Sequence, residues 1–167
     1  MNRHLIVTLS ACAVLASSPT QALDPACGPL IASSEAKIGA PAWHAVSQLD
    51  DFETEIIKVN GRFYMKDGDQ WTAAPVNMDD AERKTVEAVK AGEIRVTGCT
   101  DAGEESVEGI RTRALVYSVE VRGSGTPASQ TRLNVGIADG LPYRLSSAAG
   151  ETRQQVTYRY EGVKAPL

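Results

Sequence analysis

Apolar and polar residues alternate with a period of two along most of this chain, and the period lengthens to that of a helix in only two places. The first is residues 27–39, where Leu30, Ile31, Ala32, Ala36 and Ile38 share a face. Pro29 suits a first turn and Gly39 marks an end. Ala40-Pro41 then returns the backbone to extended geometry. Strand-like runs follow at Trp43–Leu49, Glu53–Val59, Arg62–Lys66 and Gln70–Ala74. Asn60-Gly61 and Asp67-Gly68-Asp69 separate the later runs as hairpin turns, because Asn and Gly tolerate positive φ. The second helical stretch runs from Asn77 to Ala91. Asn77 can cap it, Asp79, Asp80 and Glu82 suit the positive end of its dipole, and Gly92 stops it. Its apolar face is narrow, so it is expected to rest on a sheet surface or over an opening.

Beyond it, Glu93–Thr97 alternates toward Cys99, residues 100–106 read as a polar loop, and a long strand runs from Ile110 to Arg122. Leu115, Tyr117, Val119 and Val121 fall on one face of that strand, and Arg111 and Arg113 continue the same line. Further runs at Thr131–Ile137, Tyr143–Ala148 and Val156–Tyr160 are divided by Gly-containing turns. About nine strands in sequential antiparallel order, with two helices, predict an α+β fold. Its form is a strongly curved half-barrel sheet with the helices on the concave side or over its opening.

The first residues fall outside this pattern. A short polar start with Arg3 precedes an apolar run from Leu5 to Ala16, too short to span a bilayer. Pro19 breaks it, and the small residues Thr20 and Ala22 fit cleavage after Ala22. Residues 1–22 thus read as a signal peptide delivering one domain, residues 23–167, to the periplasm. Leu9-Ser10-Ala11-Cys12 also fits a lipobox, which would instead make Cys12 the lipidated N-terminus of an outer-membrane lipoprotein.

Export changes the meaning of the cysteines. Of three, Cys27 and Cys99 survive cleavage. A lone pair in an oxidising compartment points to one disulfide rather than two free thiols, and two isolated thiols without nearby His make no zinc site. Without Arg3 the chain carries 16 basic and 21 acidic residues, a balance near −5 that disfavours nucleic acid.

Catalytic signatures are missing. The mature chain keeps one histidine, His44, beside Trp43, and no Gly-x-Ser-x-Gly elbow accompanies it. Adjacent carboxylates at Asp50-Asp51, Asp79-Asp80 and Glu104-Glu105 show no glycosidase pattern. Asp67-Gly68-Asp69 lacks the further ligands of a calcium loop, and neither a phosphate-binding nor a dinucleotide-binding glycine loop is present. The expectation is a protein that is not an enzyme and holds no cofactor or metal. The aromatic residues carry the alternative. Trp43, Tyr64, Trp71 and Tyr117 all lie on predicted strands, where they either fill the core or line the hollow of the curled sheet around a hydrophobic ligand.

Several segments together carry a resemblance. They are the Cys27 helix, Pro41-x-x-His44, Tyr64-Met65-Lys66 with Trp71, the acidic helix leading to Cys99, Val116-Tyr117, Gly140-Leu141-Pro142-Tyr143-Arg144, and Tyr158-x-Tyr160-x-x-Val163-x-Ala165-Pro166. In these the chain resembles small proteobacterial periplasmic proteins. Its layout is similar to the LolA-like superfamily of lipoprotein-sorting carriers and relatives. That resemblance implies a curved half-barrel that holds an acyl chain under its helices. Two functions follow as expectations: a periplasmic binding or carrier protein for a lipid or other hydrophobic small molecule, or an adaptor with an envelope protein as partner. An adaptor would use a sheet edge or the helix from Asn77 to Ala91 as its contact.

Overall fold

A computed structural model of the chain describes residues 23–125 and 127–166. The leader, its cleavage point after Ala22 and the alternative at Cys12 lie outside the described residues. A short 3-10 turn, Pro25–Cys27, leads into helix α1, Gly28–Gly39. Strands β1 (Ala42–Leu49), β2 (Phe52–Val59), β3 (Arg62–Asp67) and β4 (Gln70–Ala73) follow, then helix α2 (Met78–Ala91). The chain closes with β5 (Ile94–Val107), β6 (Ile110–Val121), β7 (Ser129–Gly136), β8 (Pro142–Ala149) and β9 (Thr152–Arg159).

The nine strands form one open antiparallel sheet, the half-barrel with two helices that the alternation predicts. Their order is β4-β3-β2-β1-β9-β8-β7-β6-β5, so it departs from simple sequence order at one place. The first strand pairs with the last, Ala45 opposite Tyr158, and joins two meanders into one sheet. The edges are therefore β4 and β5, the two strands that α2 connects. A helix linking opposite edges has to cross the face of the sheet, and this is why α2 lies over it.

Local chemistry sets the ends of the helices. The Asn77 side chain accepts from the amides of Asp79 and Asp80, and Gly92 closes α2 at φ 76. Gly39, in contrast, lies within α1. The stop is Ala40, held extended before Pro41, because the proline ring excludes helical geometry from the residue before it. Strand β5 also differs from expectation, since residues 100–106 continue it rather than forming a loop. Register shifts after Thr97 and Asp101 absorb the polar insertions, with Gly98 and Gly103 at positive φ.

The core lies on the helix-covered face and comes in two parts. Cys27, Val89, Val96, Cys99, Leu115, Tyr117 and Leu133 form one part, under α1 and the end of α2. Trp43, Ala45, Phe63 and Val156 form the other, under the start of α2. A disulfide joins Cys27 to Cys99 and ties the start of α1 to β5.

Candidate functional site

Two cavities open on the helix-covered face, one beside each part of the core. The first is a cleft of about 270 Å³ between α2 and strands β1, β2 and β9. Its floor follows from register. Trp43 opposes Lys58, Ala45 opposes Ile56 and Tyr158, and Ser47 opposes Thr54 and Val156, so all of these share one face. Its roof is Met78, Asp79, Ala81, Glu82 and Thr85 of α2, and Lys37 of α1 closes one side.

Two lysines hold roof to floor. Lys58, only 3 % exposed, places Nζ 2.7 Å from Asp79 and donates to the Ile38 carbonyl at 2.8 Å. Lys37 pairs with Glu82 at 3.0 Å and lies 5.1 Å from the centre of the Tyr158 ring. Burial alone would lower the pKa of the Lys37 ammonium, but the electrostatic pull of Tyr158 and Glu82 outweighs it and leaves the value above its ordinary one. The rings of Phe63 and Tyr158 flank Trp43 at 6.0 and 6.3 Å. Trp43 is 4 % exposed, and its buried Nε1 has no hydrogen-bond partner.

The second cavity, about 430 Å³, sits beside the disulfide. Ala26, Pro29, Cys99, Leu115, Val135 and Ile137 give it mainly apolar walls, with Asp101 and Arg113 also in the lining. Arg113 bonds Asp101 at 2.7 Å and Glu104 at 3.5 Å. The Gly103 amide, then Arg113, hold Asp101 below the usual carboxylate range, and Arg111, then Arg113, do the same for Glu104. These exposed charges neutralise one another beside a greasy opening.

Among the four aromatic residues singled out by the sequence, the structure places Trp43 in the wall of the cleft and Tyr117 within the core cluster by the disulfide. Tyr64 and Trp71 point to the opposite, outer face, because Tyr64 opposes Ile57 and Ala73 while Trp71 opposes Lys66. There Trp71 meets His44. Glu55 accepts from His44 Nε2 at 2.9 Å and from Lys66, and Arg159 donates to His44 Nδ1 at 3.3 Å. An arginine only donates, so Nδ1 is the acceptor and Nε2 carries the proton. The Trp71 ring lies 6.2 Å from His44. Among the described residues no group of three or more His, Cys, Asp or Glu could hold a metal ion, and no helix is long and apolar enough to cross a membrane.

Sequence reasoning missed the lysine pairs and Ile137. A signal for Lys58 existed: on the line Thr54-Ile56-Lys58 a lysine occupies an otherwise core-facing position, which requires a buried partner. Nothing comparable marks Ile137, whose cavity depends on how the start of α1 sits over β6 and β7.

No family model matches the sequence, and no curated protein matches it. Solved structures do. The Mycobacterium tuberculosis lipoprotein LppX superposes with a TM-score of 0.57 at 14% identity, over 83% of this chain and 97% of that one. LprF from Mycobacterium bovis gives a TM-score of 0.57 at 14% identity, over 87% and 98%. MucB, in its Pseudomonas aeruginosa complex with MucA, gives 0.43 at 15% identity, over 86% and 59%. The chain shares the fold of LppX and LprF along nearly their whole length. An open half-barrel of this kind is what the resemblance to the LolA-like superfamily implies.

Proposed function

We propose that the protein is a non-catalytic binding protein of the cell envelope that takes a lipid or acyl-type hydrophobic ligand into the cavity beside Cys27–Cys99. The observation that carries this reading is the apolar lining of that cavity at about 430 Å³, within the size range of small-molecule sites. Its exposed charges support the reading too, since Arg113 already has two carboxylate partners and leaves the apolar wall as the main source of affinity. Trp43, Tyr64, Trp71 and Tyr117 divide accordingly. Trp43 belongs to the neighbouring cleft, and Tyr117 backs the core behind the cavity.

The test uses the protein as it is exported, purified from the cell envelope. Native mass spectrometry should find a co-purified lipid, and a fluorescent fatty acid should bind. Ile137→Trp, at a half-exposed position in the wall, should weaken that binding at least tenfold while the protein stays folded. Protein that carries no lipid and takes up no fatty acid would refute the reading.

An envelope adaptor is the second reading. Supporting it, the paired ends of β1 and β2 present Phe52 at 68 % exposure opposite Leu49 at 42 %. A photo-crosslinker at residue 52 should then capture one defined protein in intact cells, whereas a carrier would give membrane contacts.

A further inference from the structure

We infer that a groove on the outer face of the sheet, opposite the helices, is a binding site for an uncharged oligosaccharide. It shares no lining residue with the cavity beside the disulfide, so the inference goes beyond the function proposed above. The groove holds about 690 Å³, within the size range of small-molecule sites. Its floor follows from register. Gln48 opposes Gln155, Gln155 opposes Ser146, and Ser146 opposes Arg132, so one row of polar side chains crosses β1, β9, β8 and β7. Arg153, Ala148 and Gln130 form a second row beside it. Val156, Leu145 and Leu133, each next in sequence to a member of the first row, pack into the core, which puts both rows on the outer face.

The side chains of these rows define the ligand. An amide offers both donors and an acceptor, and a hydroxyl can do either. Gln48, Ser146 and Gln155 make no side-chain hydrogen bond among the described residues, and the Arg153 guanidinium has no carboxylate partner among them. Water that solvates such groups is displaced without loss only by a ligand that returns both donors and acceptors. Sugar hydroxyls return both. Adjacent strands lie about 4.8 Å apart, close to the length one pyranose ring adds to a chain. A saccharide running across the strands therefore meets a fresh polar side chain at each ring, while Val116 and Ala148 offer small apolar patches to the C–H faces of the rings.

Charge narrows the class further. The charged residues of the lining are Asp50, Asp51, Arg132 and Arg153, two of each sign, and Arg132 is already held by Glu105. A polyanion would meet both aspartates and a polycation both arginines, whereas a neutral ligand meets neither obstacle. The turn that carries the aspartates is fixed to β9, since Asp50 Oδ1 accepts from the Arg153 amide and the Asp50 amide donates to the Arg153 carbonyl, both at 3.0 Å. An extended peptide is disfavoured on other grounds. It draws affinity from main-chain bonds to a free strand edge, and β1, β9, β8 and β7 all lie inside the sheet with both edges paired.

The probes are tetra-N-acetylchitotetraose, maltotetraose and cellotetraose, titrated to millimolar concentration into the protein labelled with ¹⁵N. At least one should move the side-chain amide resonances of Gln48 and Gln155. Gln155→Ala, at an exposed position, should weaken binding of that sugar about fivefold, the range of one net hydrogen bond. Ser146→Trp, which fills the middle of the first row, should abolish it, and tetragalacturonate should bind at least tenfold more weakly than the neutral sugar. Ile137→Trp should leave sugar binding unchanged and Gln155→Ala should leave fatty-acid uptake unchanged, so this site and the one proposed above fail separately. Three neutral sugars that move neither resonance, an acetylated and amidated Ser-Gly hexapeptide that binds the groove as tightly, or unaltered affinity in Gln155→Ala would overturn the inference. The resonances are read on the native protein, so the test holds even where Ser146→Trp folds poorly.

Discussion

Lys58 reaches from β2 to the carboxylate of Asp79, 2.7 Å away in the first turn of α2, and on the way donates to the Ile38 carbonyl at the end of α1. One ammonium therefore connects the sheet to both helices. Removing one partner of such a buried pair strands the other charge. Lys58→Met should cost about 3 kcal/mol in urea denaturation, while Lys58→Met combined with Asp79→Leu should recover most of that loss. A single variant within about 0.5 kcal/mol of the native chain would show that Asp79 finds solvent once released.

The disulfide acts at the other end of the same face. Cys27 and Cys99 are 72 residues apart in sequence, and joining them restricts the unfolded chain across half of the domain. Replacing both with serine should lower stability by on the order of 4 kcal/mol in the chain-entropy view. Because Cys99 lines the larger cavity, the same variant should also bind a fluorescent fatty acid less well. Thermal unfolding with and without reductant checks the first effect, and ligand titration of the double variant checks the second.

Short-range signals made most of the fold legible. The Asn77 cap, the Gly92 stop, the Asn60-Gly61 hairpin and the alternation of Leu115, Tyr117 and Val119 each act within a few residues, and each holds in the structure. The pairing of β1 with β9 lay beyond reach, because Ala45 and Tyr158 share no local pattern that names the other. The site was legible only in part for the same reason. Alternation assigns a residue to a face, but the side of the sheet that receives the helices depends on the β1–β9 junction and on the path of α2. Tyr64 and Trp71 thus fall on the outer face although their strands were read correctly.

On that outer face Glu55 offers a pH test. Its hydrogen bond to Lys66, with a further one from His44, outweighs desolvation and holds its carboxyl below the usual range. A carboxyl whose folded pKa lies below its unfolded value stabilises the fold above the unfolded pKa, about 4.3, and loses that contribution as pH falls through the folded value. Glu55→Gln should therefore be less stable than the native chain near neutrality, and the gap should close as pH drops below about 4. Melting temperatures of both proteins across pH 3 to 7 give the comparison. A gap independent of pH would mean that shape, not charge, is what Glu55 contributes.

Gly136 ends β7 at a point where a side chain has no room. A Cβ there would lie 2.2 Å from Asp139 Oδ1 and 2.7 Å from the Tyr143 ring. Both neighbours are committed. Asp139 Oδ1 accepts from the Leu141 amide at 3.0 Å, and Asp139 Oδ2 accepts from the Tyr143 hydroxyl at 2.7 Å. Burial, then the Asp139 carboxylate, push the Tyr143 phenol up to about 12. Gly136→Ala must drive Asp139 out of this turn, at a cost of about 1–3 kcal/mol for overpacking, and Tyr143 should then ionise at lower pH. Ultraviolet titration of the tyrosines reads the second effect. Adding Asp139→Ala to Gly136→Ala should recover part of the stability, since it removes the nearest atom the new methyl meets. If the double variant is no more stable than the single one, the Tyr143 ring is the obstacle instead.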